Sequence, residues 1–347
     1  MDTDLTMQST LKTCLLLALA TFSNGALALD AWPATASQTA ISSIAASEPS
    51  GLIYESRQDK LYFVGINKVH EMNPDGSNLQ TWTVSYSDLE GITTTDTIPA
   101  GKTRPYLYLA QEDPATIAEF DPSTGTLTGK HWSVSGSGLI DATDASKRME
   151  GFTFVPDGHH PWGVTSSGGV FLISMQNGHP ASSSGAPIIA VNIDLSGTSV
   201  SKITEWVPIE NQTDISDLFY STLTKQLFIL YDAGNNLVVE KMDATHTQLK
   251  NYTLPGTTTT QEAFVMIPNA SCTGADVYIG EDGTGNIWQL SEFPYSCILP
   301  SNQDGGSTGG STNTPGTNSS GSSVDSSCRT GSPQSLILIL ISLLIWI

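Results

Sequence analysis

Five copies of a short phrase place acidic residues at one recurring point of the chain. They read Ser50-Gly51-Leu52-Ile53-Tyr54, Glu90-Gly91-Ile92-Thr93, Glu150-Gly151-Phe152-Thr153-Phe154, Asp217-Leu218-Phe219-Tyr220 and Glu262-Ala263-Phe264-Val265. Four of the five open on a carboxylate. If these points converge in space, the acids cannot all stay ionised without a counter-charge; they take up protons or bind a cation. Oxygen-only ligands, with no cysteine set or convergent histidines beside them, favour calcium, whose flexible six- to eight-fold coordination suits carboxylates from separate elements. Glu90, Glu150, Glu262 and Asp217 are therefore the expected metal ligands, and calcium the expected cofactor. A wide, wet mouth in which each acid is solvated alone is the competing reading.

The elements that would bring them together are strands. Between Trp32 and Leu299 no helical period is found. Short β-branched and aromatic runs, such as Lys60-Leu61-Tyr62-Phe63-Val64 and Gln226-Leu227-Phe228-Ile229-Leu230-Tyr231, alternate with turns such as Asn73-Pro74-Asp75-Gly76. The phrases recur at intervals of 40, 60, 67 and 45 residues. Each interval holds about four short strands, the pattern of a propeller blade. The fold class is thus all-β, a β-propeller of five to six four-stranded blades, with a degenerate sixth blade or extra hairpin expected around Ile188 to Val207. A propeller must close its ring, and Gln38 to Ile44 is the segment expected to supply the outermost strand of the last blade.

Glu48-Pro49-Ser50-Gly51-Leu52-Ile53-Tyr54, followed by Lys60-Leu61-Tyr62-Phe63-Val64 and Asp75-Gly76, resembles the first blade of the SdiA-regulated propeller family. Asp88-Leu89-Glu90-Gly91-Ile92-Thr93 is similar to the phrase that opens its second blade and also occurs in phytase-like, esterase-like propellers. Arg148-Met149-Glu150-Gly151-Phe152 repeats it. The resemblance spans roughly Glu48 to Leu290 and implies an exported calcium-binding propeller of the phytase-like superfamily. The fourth unit departs from it, with Asp217-Leu218 in place of Glu-Gly.

The flanks predict export. Residues 1-28 read as a signal peptide, with Lys12, an apolar core from Cys14 to Ala20 and Ala26-Leu27-Ala28 as a small-x-small cleavage pattern. Residues 29-300 form the propeller domain. Residues 301-335 are a Gly/Ser/Thr-rich segment that cannot bury enough apolar surface to fold, and are expected to be a disordered stalk. The tail 336-347 is apolar to its end. As a helix it would measure ~18 Å, short of a ~30 Å hydrocarbon core. With Ser320 or Asp325 as small-residue attachment sites it reads as a GPI signal; a bacterial sorting tail and a simple tail anchor are the alternatives. Localisation is thus expected to be at the cell surface, held to a membrane by the C-terminal tail.

The chain carries 14 Lys and Arg against 34 Asp and Glu, a formal charge of −20, which argues against nucleic acid as a partner. Export would oxidise Cys272 and Cys297 to a disulfide, worth about 3 kcal/mol by loop restriction; Cys14 and Cys328 lie in the flanks. Sequons at Asn211, Asn251, Asn269 and Asn318 are about as many as chance supplies, so glycoprotein status follows only from expected export. Glu281-Asp282-Gly283-Thr284-Gly285-Asn286 lacks the terminal Glu of an EF-hand and reads as a hairpin turn, and His159-His160-Pro161-Trp162 as a surface turn. Three functions remain: a calcium-stabilised module binding an unknown extracellular ligand or protein, a calcium-dependent phosphoester or carboxylic-ester hydrolase using a metal-activated water, and a purely structural surface protein whose acids are solvated. The scarcity of basic residues disfavours phytate as substrate.

Overall fold

The computed structural model describes residues 29–33, 38–43, 48–135, 139, 149–176, 185–208, 213–232, 235–255 and 260–297. The expected signal peptide, stalk and tail, with Cys14, Cys328, Asn211 and Asn318, lie outside the described residues. The β-favouring runs fold into twenty strands: β1 (Gln38–Ser43), β2 (Gly51–Glu55), β3 (Lys60–Gly65), β4 (Lys68–Met72), β5 (Gln80–Thr83), β6 (Leu89–Thr94), β7 (Leu107–Gln111), β8 (Thr116–Asp121), β9 (Thr126–Ser133), β10 (Met149–Pro156), β11 (Gly169–Met175), β12 (Ile188–Ile193), β13 (Val200–Trp206), β14 (Ile215–Ser221), β15 (Gln226–Tyr231), β16 (Asn236–Lys241), β17 (Gln248–Thr253), β18 (Gln261–Pro268), β19 (Gly274–Glu281) and β20 (Asn286–Pro294). Among the described residues there is no helix.

The strands form five four-stranded antiparallel sheets, the blades of a propeller. Blades 1 to 4 are β2–β5, β6–β9, β10–β13 and β14–β17, and blade 5 is β18, β19, β20 and then β1. Pairing of Thr39 with Gln289 and of Ala40 with Trp288 closes the ring with the first strand of the body, as expected. No sixth blade exists among the described residues: Ile188–Ile193 and Val200–Trp206 are the two outer strands of blade 3. The third interval is long because of its connections, including the β10–β11 turn that carries His159-His160-Pro161-Trp162. There His160 hydrogen-bonds Asp157 and stacks on Trp162. Glu281-Asp282-Gly283-Thr284-Gly285-Asn286 is the β19–β20 hairpin turn, where the Glu281 carboxylate accepts from Thr284 and from the Trp288 indole.

Alternation along each strand sends neighbouring side chains to opposite sides of its sheet. In blade 3, Phe154, Phe171 and Ile173 pack with Tyr108, Ile117 and Trp132 of blade 2, while Val155, Val170 and Leu172 pack with Leu218, Leu227 and Ile229 of blade 4. The same division produces the cores between blades 4 and 5, 1 and 2, and 5 and 1, one for each interface. Cys272, in the β18–β19 turn, and Cys297, just after β20, form the expected disulfide with Cα atoms 5.4 Å apart.

The inner strands β2, β6, β10, β14 and β18 pack side by side around the axis, each touching the next and β18 returning to β2. The approach is close enough to require glycine. A Cβ on Gly91 would stand 2.5 Å from the Phe152 Cβ, and one on Gly151 2.5 Å from the Asp217 Cα. The recurring Gly is thus a spacing requirement of the ring.

Candidate metal centre

Strand pairing sets the true alignment of the five phrases. Inner-strand residues Leu52, Ile92, Phe152, Leu218 and Phe264 face Phe63, Leu109, Ile173, Ile229 and Ile279 of their second strands. One position earlier stand Gly51, Gly91, Gly151, Asp217 and Ala263, and earlier still Ser50, Glu90, Glu150, Ser216 and Glu262. Asp217 therefore occupies the glycine position of its phrase, and Ser216 is the counterpart of the glutamates. The expected four-acid ring is corrected here: Glu90, Glu150 and Glu262 are equivalent, and Asp217 is displaced by one residue.

Each glutamate owes its placement to a bulge. Pairing skips from Leu89 to Gly91, from Met149 to Phe152 and from Gln261 to Ala263. An extra residue in one strand is left out of the ladder and its side chain is re-aimed, here at one end of the propeller. Two residues before the bulge, Asp88 and Asp214 adopt left-handed backbone (φ 58° and 67°), which Asp tolerates better than most residues. Their carbonyls accept from the backbone N–H of Glu112 (3.0 Å) and Asp232 (3.1 Å), and Thr260 does the same for Asp282 (2.9 Å). Three further acids, each just past a second strand, are thereby held at the same end.

The result is a mouth crowded with carboxylates. One ligand oxygen from each of Asp88, Glu90 and Glu112 lies within 4.8 Å of the others. Burial, reinforced by Asp88, raises the Glu90 carboxyl to about 7, with the Ser50 hydroxyl opposing the rise and Glu48 and Asp282 adding to it. Glu150 is pushed well above the carboxylate range by burial and then by Glu90, Glu262, Glu112 and Asp214. Glu262 rises to about 9 through burial, Asp232, Glu90, Asp214 and Asp282. Among the described residues, the charged groups acting most strongly on these three are all acids. Ser216, at the bulge position of blade 4, has a buried hydroxyl with no hydrogen-bond partner among the described residues.

Asp217 has different company. It is 1% exposed, and its Oδ1 accepts from the Leu218 N–H (2.8 Å) and its Oδ2 from the Phe264 N–H (2.7 Å). Burial pushes its carboxyl well up, against the pull of backbone N–H groups from Phe264, Leu218, Leu52 and Phe152. Of the acids expected from the sequence, Glu90, Glu150 and Glu262 share one register position, and Glu90 alone has an oxygen in the close group with Asp88 and Glu112. Those two were not expected, although Asp88 stands in the same phrase and Glu112 directly follows a strand end.

No protein-family model matches the chain, and no curated protein matches it. Among solved structures, it is similar to a calcium-binding protein, regucalcin, from Agrobacterium tumefaciens strain C58, at 11% identity and TM-score 0.46, covering 76% of this chain and 97% of that one. It is also similar to a luciferin-regenerating enzyme (11%, TM-score 0.39, 76% and 99% covered) and to a nidogen/laminin complex chain (11%, TM-score 0.40, 70% and 79% covered). These likenesses assign no role to any residue of this chain.

Proposed function

We propose that the protein is a calcium-binding β-propeller whose acidic mouth holds the ion through Asp88, Glu90 and Glu112, with Glu150 beside them. One observation carries this reading: the three carboxylate oxygens lie within 4.8 Å of one another. Two oxygens each bound to calcium at about 2.4 Å can stand no more than about 4.8 Å apart, so the trio fits around one ion without a change of fold. The raised proton affinity of Glu90 and Glu150 marks a place where negative charge lacks compensation. The donor set is oxygen only, which favours calcium over zinc or copper.

The phrase that resembles the SdiA-regulated and phytase-like propellers, Asp88-Leu89-Glu90-Gly91, supplies two of the three ligands, which supports relating the chain to that group. With the compositions of residues 1-28, 301-335 and 336-347, it supports an exported propeller, tethered to a membrane, that binds an extracellular ligand or protein at this mouth. Titration of purified protein with calcium should show one bound ion and a melting temperature raised by several degrees. Glu90→Gln combined with Glu112→Gln should abolish both. Folded wild-type protein that retains no calcium in dialysis against 1 mM ion would sink the proposal. Release of the protein from cells by a GPI-specific phospholipase tests the tether; retention would argue against that form of anchor.

A further inference from the structure

An inner strand of a propeller has a hydrogen-bonded neighbour on one edge only, so its other edge leaves backbone N–H groups without a ladder partner. In this protein those groups converge. Leu218 and Phe264 donate to opposite oxygens of Asp217 at 2.8 and 2.7 Å, and the backbone N–H groups of Leu52 and Phe152 stand near enough to lower that carboxyl's proton affinity. These four amides belong to the equivalent residue of blades 4, 5, 1 and 3, as their cross-strand pairing shows. One carboxyl group thus meets the same amide of four of five blades and is hydrogen-bonded to two of them. It stands where the other blades have Gly51, Gly91, Gly151 and Ala263, a layer at which the inner backbones approach closely.

We infer that this ring of axial N–H groups is an anion-binding site for a small oxyanion, and that Asp217 is its built-in occupant. Amides from separate strands directed at one point favour negative charge there, as successive amides do in anion-binding nests. A charged acceptor gives each of them a stronger hydrogen bond than a neutral one would. The carboxylate joins the inner strands of blades 4 and 5, which share no strand ladder, through hydrogen bonds to one amide of each.

The test uses the full chain. Asp217→Asn keeps the size and one acceptor oxygen but turns an amide NH2 toward the donors. Its melting temperature should fall by roughly 10 °C. Asp217→Gly gives blade 4 the residue found in blades 1 to 3 and empties the ring. Its melting temperature should be low and should climb in a saturable way with added formate, at an ionic strength held constant with chloride, while wild type stays unmoved. Asp217→Asn melting within about 2 °C of wild type, or formate raising Asp217→Gly no more than wild type, would overturn the inference. Should Asp217→Gly not fold, Asp217→Asn decides alone.

Discussion

The half-buried and buried acids of the mouth and the fully enclosed acid of the axis stand one residue apart in register and meet opposite surroundings. Glu150 and Glu262 are enclosed with other carboxylates. Asp217 is enclosed with backbone N–H groups. Burial raises the proton affinity of all three, so burial alone does not separate their roles. The group opposite does: acids facing acids leave room for a cation, whereas an acid facing amides is already satisfied. A carboxylate's place within a repeat is thus more informative than its presence there.

Paired neutralisation gives the largest contrast. Asp217→Asn should destabilise by about 3–5 kcal/mol, because one of two accepting oxygens within the core is replaced by an NH2 that faces a donor. Glu262→Gln should leave the calcium-free protein as stable as wild type or more so, since Gln is neutral without having to take up the proton that the fold imposes on Glu262. Thermal melts of both in chelator check the pair, and equal losses would erase the distinction. Gly91→Ala comes next. Its Cβ meets the Phe152 Cβ at 2.5 Å and the Glu150 carbonyl at 2.9 Å, so overpacking of roughly 1–3 kcal/mol is expected. Because the displaced backbone carries Glu90 and Glu150, calcium affinity should weaken as well; a loss of stability with unchanged affinity would show that ring and mouth are independent.

The smallest effect is on pH dependence. The Glu262 carboxyl lies at about 9 in the fold against an ordinary value of 4.5, and that of Glu90 at about 7. In the interval between, the folded state holds protons that the unfolded state has released. The stability this supplies is complete below about 4.5 and is lost as pH rises, through 7 for Glu90 and through 9 for Glu262, by at most ~1.4 kcal/mol per pH unit for each proton. Calcium-free wild type should therefore melt lower at pH 9 than at pH 6, and Glu262→Gln should show a shallower decline. Parallel profiles would contradict the desolvated-acid account of the mouth.

Much of the fold was legible in the residues. Glu90-Gly91, Glu150-Gly151 and Glu262-Ala263 mark three inner strands correctly, and Gln38 to Ser43 closes the ring as reasoned from the unpaired edge. The extent of blade 3 was hidden because long connections mimic an additional unit. The fourth phrase was misaligned for a physical reason. Asp217 resembles the leading glutamates in charge, while Ser216, their true counterpart, carries none; only backbone pairing reveals the shift. Asp88 and Glu112 come together through a hydrogen bond between a pre-strand carbonyl and a post-strand amide, a link that no periodicity encodes.

The closure of blade 5 bears on how the molecule would carry tension. Its outer strand β1 lies before all the other strands, and its neighbour β20 ends shortly before Cys297. A pull on the chain beyond Cys297 would otherwise peel β20 away from β1 one hydrogen bond at a time. The Cys272–Cys297 bond instead passes that force into the β18–β19 turn, so the blade resists as a whole sheet and the seam that holds the ring is shielded from a pull at that end.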